Sequence, residues 1–125
     1  MKVFNSDGTL QRERVAPEAM DPFAEKISKR IHDIFERNAS LNGKAVLFGS
    51  RARGDARGGS DWDVLVLLDK ERVMAADVDE ISYPIRELGW ELGEEINPLI
   101  FTMGEWDGKR GTPFYENVMA EGIAL

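Results

Sequence analysis

Cysteine is absent from the 125-residue sequence, and histidine occurs once. The lack of thiols excludes a disulfide framework and any metal site built on thiolates. No apolar run approaches the roughly 20 residues that a helix needs to cross a bilayer. The segment from Met1 to Met20 is polar and lacks the apolar core of a signal peptide. We therefore expect a cytoplasmic protein that does not associate with a membrane.

Positive charge is also scarce, since 16 lysine and arginine residues stand against 23 aspartate and glutamate residues, for a net charge of −7. Proteins bind nucleic-acid backbones mainly through basic side chains, so we expect no direct nucleic-acid binding. The exception is a glycine-rich loop that carries Arg51, Arg53 and Arg57. A local basic patch on an acidic chain indicates a small anionic ligand.

The composition, 42% apolar and 31% charged, is that of an ordinary globular protein. The length fits one domain covering residues 1–125. We expect its core in the region of residues 23–103 and a C-terminal helix near residues 113–122. Residues 1–20 are then a peripheral segment, in which the stretch VFNSDGTLQ predicts a short hairpin that turns at Asp7-Gly8.

Apolar periodicity and turn residues predict the regular elements. Asp21 and Pro22 suit the cap and first residue of a helix whose apolar stripe continues to Phe35. Two strands follow, KAVLFG and the uninterrupted apolar run WDVLVLL, which is expected at the centre of the sheet. The next helix, spanning residues 69–95, should be broken, kinked or restarted by Pro84.

A third strand, INPLIFT, precedes the C-terminal helix, and Pro98 within it favours an edge strand or a bulge. The order is therefore helix, strand, loop, strand, helix, strand, helix. This order predicts an α+β fold, in which helices pack on a small mixed β-sheet.

Two aspartates, Asp61 and Asp63, lie at the start of the central strand. Residues i and i+2 of a strand share a face, so both carboxylates point one way while Trp62 points the other. Their Cα atoms should be roughly 6.5–7 Å apart. Such a pair can hold two divalent cations, with oxygen ligands favouring magnesium or manganese. The alternative is a pair of solvated aspartates at a strand edge.

The loop before this strand begins with Gly49 and Ser50. Glycine lets a backbone approach a ligand closely, and a short helix beginning at Ser50 would present free amides to an anion. Arg51, Arg53 and Arg57 could neutralise further phosphate charge. Neither a Walker lysine nor a dinucleotide-binding glycine pattern is present. The alternative is a mobile surface loop whose arginines offset nearby acids.

The combination resembles the nucleotidyltransferase superfamily that includes DNA polymerase β, and most of all its small single-domain members, the minimal nucleotidyltransferases. Their signature is an apolar residue, Gly-Ser, a spacer, and an Asp-x-Asp within an apolar strand. Here the signature consists of Phe48, Gly49, Ser50, Asp61 and Asp63. The resemblance implies a polymerase β palm-like nucleotidyltransferase fold.

The resemblance also implies a chemistry for these positions. Gly49 and Ser50, assisted by Arg51 and Arg53, would bind a nucleoside triphosphate, with ATP as the expected one. Asp61 and Asp63 would be the catalytic residues and would bind two magnesium ions. An acceptor hydroxyl would attack the α-phosphate and release pyrophosphate. Small relatives often accompany a helical HEPN-domain protein, as antitoxins that bind or adenylylate it, so a HEPN partner is an expectation here.

One position departs from the family pattern. Catalytic members carry a third carboxylate on the next core strand, where this sequence has Asn97. An amide can ligate a metal but cannot act as a general base. Glu95 shares a face with Asn97 and could substitute if the strand begins early. Three hypotheses remain: an active enzyme with an atypical third ligand, a degraded nucleotide-binding antitoxin, and a partner-docking protein unrelated to nucleotides.

The other conspicuous residues are expected to be structural. His32 should be a surface residue, and Trp62 should pack in the core. The helix segment Asp77–Glu80 and the pair Glu94-Glu95 should be solvated. The C-terminal aromatic set at Phe114 and Tyr115 fits either the core or a homodimer contact.

Overall fold

A computed structural model describes residues 20–125, so the hairpin predicted around Asp7-Gly8 lies outside the described residues. The described part contains α1 (Pro22–Arg37), a 3-10 turn (Ala39–Leu41), β1 (Gly43–Phe48), α2 (Ser50–Arg53), β2 (Trp62–Leu68), α3 (Ala75–Leu92), β3 (Ile96–Thr102), α4 (Met103–Asp107), α5 (Pro113–Glu121) and β4 (Ile123–Ala124). None of the helices in this range combines the length and apolar character that a membrane span needs.

The strands form one mixed four-stranded sheet in the order β3-β2-β1-β4. β1 runs antiparallel to both β2 and β4, whereas β2 and β3 are parallel. The α+β fold is therefore confirmed, and so is the central position of the apolar strand β2. Pro98 lies in β3 at the edge of the sheet, where its missing amide hydrogen costs no ladder bond.

Each face of the sheet packs against its own helices. Trp62, Val64, Val66 and Leu68 face α1 and α3, and form one core with Ile27, Ile31, Ile81 and Ile85. Leu65 and Leu67 alternate to the other face and pack with Trp106, Tyr115 and Val118 from α4 and α5. Because side chains alternate along β2, Asp63 lies on the α4–α5 side, near the start of the strand, where it is half-buried.

The first helix has the predicted cap. The Asp21 side chain accepts a hydrogen bond from the Phe23 amide at 2.7 Å, and Pro22 occupies the first helical position. Thr112 caps α5 in the same way, 3.2 Å from the Tyr115 amide. Tyr115 and Val118 are buried in this chain, which favours the core over a dimer contact for these two residues.

The prediction for Pro84 was wrong in part, because α3 neither breaks nor restarts and runs as one helix from Ala75 to Leu92. An interior proline costs about 3 kcal/mol. Burying each of Ile81, Ile85 and Leu88 returns roughly 1.5–3 kcal/mol, so packing outweighs the lost bond. The Pro84 carbonyl also accepts a hydrogen bond from Arg30 Nη1 at 2.8 Å, which ties α3 to α1.

The same helix begins at Ala75, later than its composition suggested. Its first turn is fixed by Asp77, whose Oδ2 accepts from the Met74 amide at 2.8 Å and from Lys70 Nζ at 2.7 Å. Asp77 is 7% exposed, so the expectation of a fully solvated acidic segment was wrong at this residue. The short elements α4 and β4 were not predicted, because neither is long enough to show a periodicity.

Candidate active site

The site begins at the corner where β1 ends. Gly49 has φ 78° and ψ −159°, a conformation open essentially to glycine alone. A Cβ placed on Gly49 would lie 2.5 Å from Asp63 Oδ2. The loop backbone is thus pressed directly against a carboxylate of β2. Only glycine satisfies both the backbone angle and this approach.

Gly49 leads into α2, a single helical turn. The Gly49 carbonyl accepts hydrogen bonds from the amides of Ala52 and Arg53, both at 3.0 Å. The amides of Ser50 and Arg51 precede these first helical donors, so they are left for a ligand or solvent. Gly54 ends the turn in the left-handed conformation. We call the following segment, residues 54–60, the glycine loop.

The two aspartates share a face, as their spacing predicted. In the sheet, Asp63 pairs in register with Phe48 on one side and with Asn97 on the other. Asp61 immediately precedes β2, and its Oδ2 accepts a hydrogen bond from Asn97 Nδ2 at 2.8 Å. All three side chains are half-buried. The structure therefore brings together the aspartate pair, Asn97 and the backbone of Gly49.

The electrostatics of this cluster favour a cation. Burial raises the pKa of Asp63, and the neighbouring Asp61 charge raises it further, while hydrogen bonding by Asn97 partly offsets both. A divalent ion would relieve the burial of this carboxylate and the repulsion within the pair. No group of three Asp, Glu or His side chains suited to a metal occurs between residues 20 and 125. The available donor set is two carboxylates and one amide oxygen, which fits a hard cation such as magnesium.

Asn97 occupies the position at which a third carboxylate was expected. Glu95 precedes β3, its side chain is exposed, and its carbonyl accepts the Trp62 amide at 2.8 Å. The early strand start that would bring Glu95 into the site does not occur, because β3 begins at Ile96. Of the two candidates, Asn97 is the one in contact with the aspartate pair.

The two arginines of α2, Arg51 and Arg53, lie in different environments. The Arg51 guanidinium donates twice to the Ser60 carbonyl, and its Cζ lies 4.5 Å from the centroid of the Trp62 ring. Trp62 is buried on the sheet face opposite the carboxylates, as predicted for core packing. The Arg51 side chain is therefore directed away from the aspartates. Arg53 is exposed and pairs with Asp55 at 3.2 Å and with Glu121 at 3.5 Å.

Sequence reasoning missed Glu94, which was expected to be solvated. Its Oε1 accepts a hydrogen bond from Trp62 Nε1 at 2.8 Å and lies 3.6 Å from Arg51 Nη2. The turn residue Gly93 before it was a visible helix-end signal, but nothing local indicated that Glu94 would face the start of β2. His32 is exposed on α1, as expected.

Comparison with known proteins identifies the family of this chain. Residues 28–111 match the family model of the nucleotidyltransferase domain, and this segment includes the Gly-Ser corner, both aspartates and Asn97. The chain belongs to this family. It is 33% identical over 82 residues to the "Putative protein adenylyltransferase" of Methanocaldococcus jannaschii, a match that covers 66% of this chain and 76% of that protein.

Solved structures agree with the family at the level of the fold. A "putative nucleotidyltransferase" from Sulfolobus solfataricus superposes with a TM-score of 0.53 at 20% identity, covering 79% of this chain and 76% of that one. A mutant form of the toxin-antitoxin MntA-HpeT gives a TM-score of 0.51 at 19% identity, covering 78% and 70%. A toxin-antitoxin structure with AMP-PNP gives 0.50 at 18% identity, covering 77% and 69%.

Membership of the nucleotidyltransferase family implies a nucleoside triphosphate substrate and, typically, a divalent metal. The donor set of Asp61, Asp63 and the Asn97 amide is compatible with such a metal. The amides that open α2 adjoin this set through Gly49, whose backbone touches the Asp63 carboxylate. Backbone amides that could bind an anion and carboxylates that could bind a cation are thus neighbours, as a metal-bound phosphate requires.

Proposed function

We propose that this protein is a magnesium-dependent nucleotidyltransferase that moves AMP from ATP to a hydroxyl group of a partner protein. The observation that carries the proposal is the contact between the Gly49 backbone and the Asp63 carboxylate. This contact puts the start of the phosphate-binding turn against a metal-binding side chain. Transfer of a nucleotidyl group needs positioning and charge neutralisation at one point, and no covalent protein group.

Each residue of the site has a part in this scheme. Gly49, Ser50 and the Arg51 amide bind the β- and γ-phosphates, through the donors that precede the first helical bonds of α2. Asp61 and Asp63 bind the magnesium ions and are the catalytic residues. Arg53 is exposed and can exchange its surface ion pairs for phosphate oxygens, because such pairs are worth little in water.

The reaction is a substitution at the α-phosphorus. The acceptor oxygen forms a bond to that phosphorus, the bond to the β-phosphate oxygen breaks, and pyrophosphate leaves with the electron pair. Magnesium held by Asp61 and Asp63 would supply charge neutralisation on the triphosphate. The hydroxyl proton must reach a base, and Asn97 cannot take it because a neutral amide is too weak a base. Solvent or one of the two aspartate carboxylates accepts the proton instead.

The proposed acceptor is a protein with which this chain assembles. The relative from Methanocaldococcus jannaschii bears the name of a protein adenylyltransferase, and two structural neighbours are toxin-antitoxin proteins. We therefore favour a toxin as the partner, and a HEPN-domain protein is the specific candidate. Both proteins would act in the cytoplasm. The chain would act as the antitoxin by modifying that partner.

A second function is favoured by one specific contact. Asn97 Nδ2 donates to Asp61 Oδ2, so in this arrangement the amide acts as a donor to a ligand carboxylate and not as a third anionic ligand. A chain with this site could bind nucleotide without transferring it. It would then neutralise its partner by binding alone.

Pyrophosphate release with Mg-ATP separates the two functions. We expect release that depends on a copurifying or genetically adjacent protein, AMP attached to that protein by mass spectrometry, and loss of both in Asp63→Ala. Asp79→Ala, which changes an exposed aspartate on α3, is the matched control and should retain both. ATP binding without release in any combination would reject the enzyme and leave the binding antitoxin. Indifference to ATP and to Asp63→Ala would reject both functions.

A further inference from the structure

Arg51 follows Ser50 directly, yet its side chain does not point toward the aspartates. Its Nε and Nη2 donate to the Ser60 carbonyl at 3.2 and 2.9 Å. Ser60 is the residue before Asp61. The guanidinium therefore joins the helical turn α2, one residue beyond the phosphate-binding corner, to the last residue of the glycine loop, one residue before the metal-binding pair.

Two further contacts hold the guanidinium in place. It stacks on the Trp62 ring, with Cζ 4.5 Å from the centroid, and its Nη2 lies 3.6 Å from Glu94 Oε1. The same Glu94 oxygen accepts the Trp62 indole hydrogen at 2.8 Å. Trp62 is only 4% exposed, so the base of this cluster is rigid. We call Arg51, Ser60, Trp62 and Glu94 the loop brace.

The other hydrogen bonds of the glycine loop are local, such as the Arg57 amide to Ser60 Oγ and the Ser60 amide to the Arg57 carbonyl, both at 3.0 Å. Cβ atoms placed on Gly54, Gly58 and Gly59 would each meet nothing within 4 Å, so the loop packs against no other part of the described chain at these positions. Glycine-rich segments without packing sample many conformations. A planar guanidinium that donates twice, stacks and pairs with a carboxylate is well suited to select one of them.

We propose that Arg51 is a positioning residue, which acts through the loop brace to fix the separation between the Ser50 amide corner and the Asp61–Asp63 pair. Its guanidinium lies on the sheet face opposite the site and does not contact the nucleotide. The kinetic consequence rests on the proposed transfer reaction, whereas the brace itself is a property of the fold. A displacement of reacting groups by about 1 Å can cost a hundred-fold in rate, so a loosened loop should impair turnover.

Arg51→Lys distinguishes a brace from a phosphate ligand. Lysine keeps the positive charge but loses the planar fork and the stacking, so it would still attract phosphate yet could not brace the loop. We expect kcat to fall roughly 10- to 100-fold while KM for ATP stays within about two-fold of the wild-type value. Arg72→Lys, an exposed arginine in the connection between β2 and α3, is the matched control and should change neither constant.

Glu94→Gln provides a second variant with a different prediction. Glutamine keeps an oxygen acceptor for the Trp62 indole but removes the charge that faces Arg51. It should produce a smaller fall in kcat than Glu94→Ala, and Glu94→Ala should add little to Arg51→Lys because both act on one unit. A rise in KM for ATP with unchanged kcat in Arg51→Lys would overturn the proposal and make the side chain a nucleotide ligand.

Amide hydrogen exchange tests the loop brace without any need for activity. We expect peptides covering residues 54–60 to exchange faster in Arg51→Lys and Glu94→Ala than in the wild type and in Arg72→Lys. Unchanged exchange in this segment would overturn the brace even if turnover fell. If wild-type protein with its partner releases no pyrophosphate, the proposed function fails, and the exchange result still decides the brace.

Discussion

Two aspartates of this protein have pKa values shifted in opposite directions, although burial raises the pKa of both. Asp63, in the candidate site, has a pKa raised by burial and by the Asp61 charge. Asp77, at the start of α3, has a pKa lowered by its hydrogen bond to Lys70 and by the Met74 amide, against an opposing effect of burial. The fold thus compensates the charge of Asp77, whereas it disfavours the charge of Asp63.

The difference separates an aspartate whose charge the fold compensates from one whose charge it leaves uncompensated. A paired and hydrogen-bonded carboxylate stabilises the native state, whereas an uncompensated one costs stability and is retained where a function needs it. The magnesium ions proposed for Asp61 and Asp63 would supply the compensation that Lys70 supplies for Asp77. Substitution of Asp63 should therefore lower activity without a loss of stability, whereas substitution of Asp77 should lower stability and keep activity.

The largest effect is expected from exchanging each carboxylate for its amide. Asp63→Asn should lower pyrophosphate release by at least about a hundred-fold, as for loss of one transition-state electrostatic contact. It should also leave the metal-free protein as stable as the wild type or more so, by up to about 2 kcal/mol. Asp77→Asn should keep activity but lose about 1.5–3 kcal/mol of stability, because it breaks a charged hydrogen-bond pair.

Pyrophosphate release and urea denaturation in metal-free buffer measure the two quantities. Asp79→Asn, an exposed aspartate on the same helix, serves as the control for Asp77→Asn and should change neither. A metal-free Asp63→Asn protein that is clearly less stable than the wild type would contradict the assignment of Asp63 as an uncompensated charge.

A smaller effect tests the contact between the corner and the carboxylate. Gly49→Ala should destabilise the protein more than Gly54→Ala, because both have positive φ but only the Gly49 Cβ would meet Asp63. Since the two glycines differ in ψ, a double-mutant cycle with Asp63→Ala isolates the contact. We expect a coupling free energy of about 1–3 kcal/mol between Gly49→Ala and Asp63→Ala. Additive effects would mean that the corner and the carboxylate do not touch in solution.

The smallest effect is the pH dependence of stability in the metal-free protein. The folded pKa of Asp63 is raised, so its ionised form costs stability at neutral pH, and this cost disappears as pH falls through the folded pKa. At neutral pH the wild type should have a lower free energy of unfolding than Asp63→Asn. This difference should shrink as the pH falls toward about 4, the ordinary pKa of an aspartate. Urea titrations at stepped pH measure it, and a deficit that grows on acidification would contradict the raised pKa.

Asp77 should show the reverse dependence in the same titrations. Its folded pKa is depressed, so its contribution is complete above about pH 4 and is lost only as pH falls below that value. The advantage of wild type over Asp77→Asn should therefore be constant between neutral pH and about pH 5. Suppose that the stability advantage over Asp77→Asn stays constant while the stability deficit relative to Asp63→Asn shrinks. Asp77 is then a carboxylate that the fold compensates, and Asp63 is one that it does not.

The local signals of the sequence were sufficient for much of this structure. The caps at Asp21 and Thr112, the edge position of Pro98 and the common face of Asp61 and Asp63 all follow from periodicity and from the stereochemistry of single residues. Such signals fail where an interaction joins distant segments. Pro84 was expected to interrupt α3 because the packing of its neighbours was not visible, and Asp77 was expected to be solvated because Lys70 was not known to reach it.

The sequence by itself determined the α+β order of elements and the chemistry available at the end of β2, because the period-2 alternation of a strand and the glycine requirement at a corner are encoded within a few residues. Only the tertiary structure decided where Arg51 and Glu94 point. Residue 51 is charged and adjacent to the Gly49–Ser50 corner, so its local context indicates a nucleotide ligand. Its actual partners, Ser60, Trp62 and Glu94, come together only when β2 pairs with β3 and α3 packs behind them, and no local pattern carries that information.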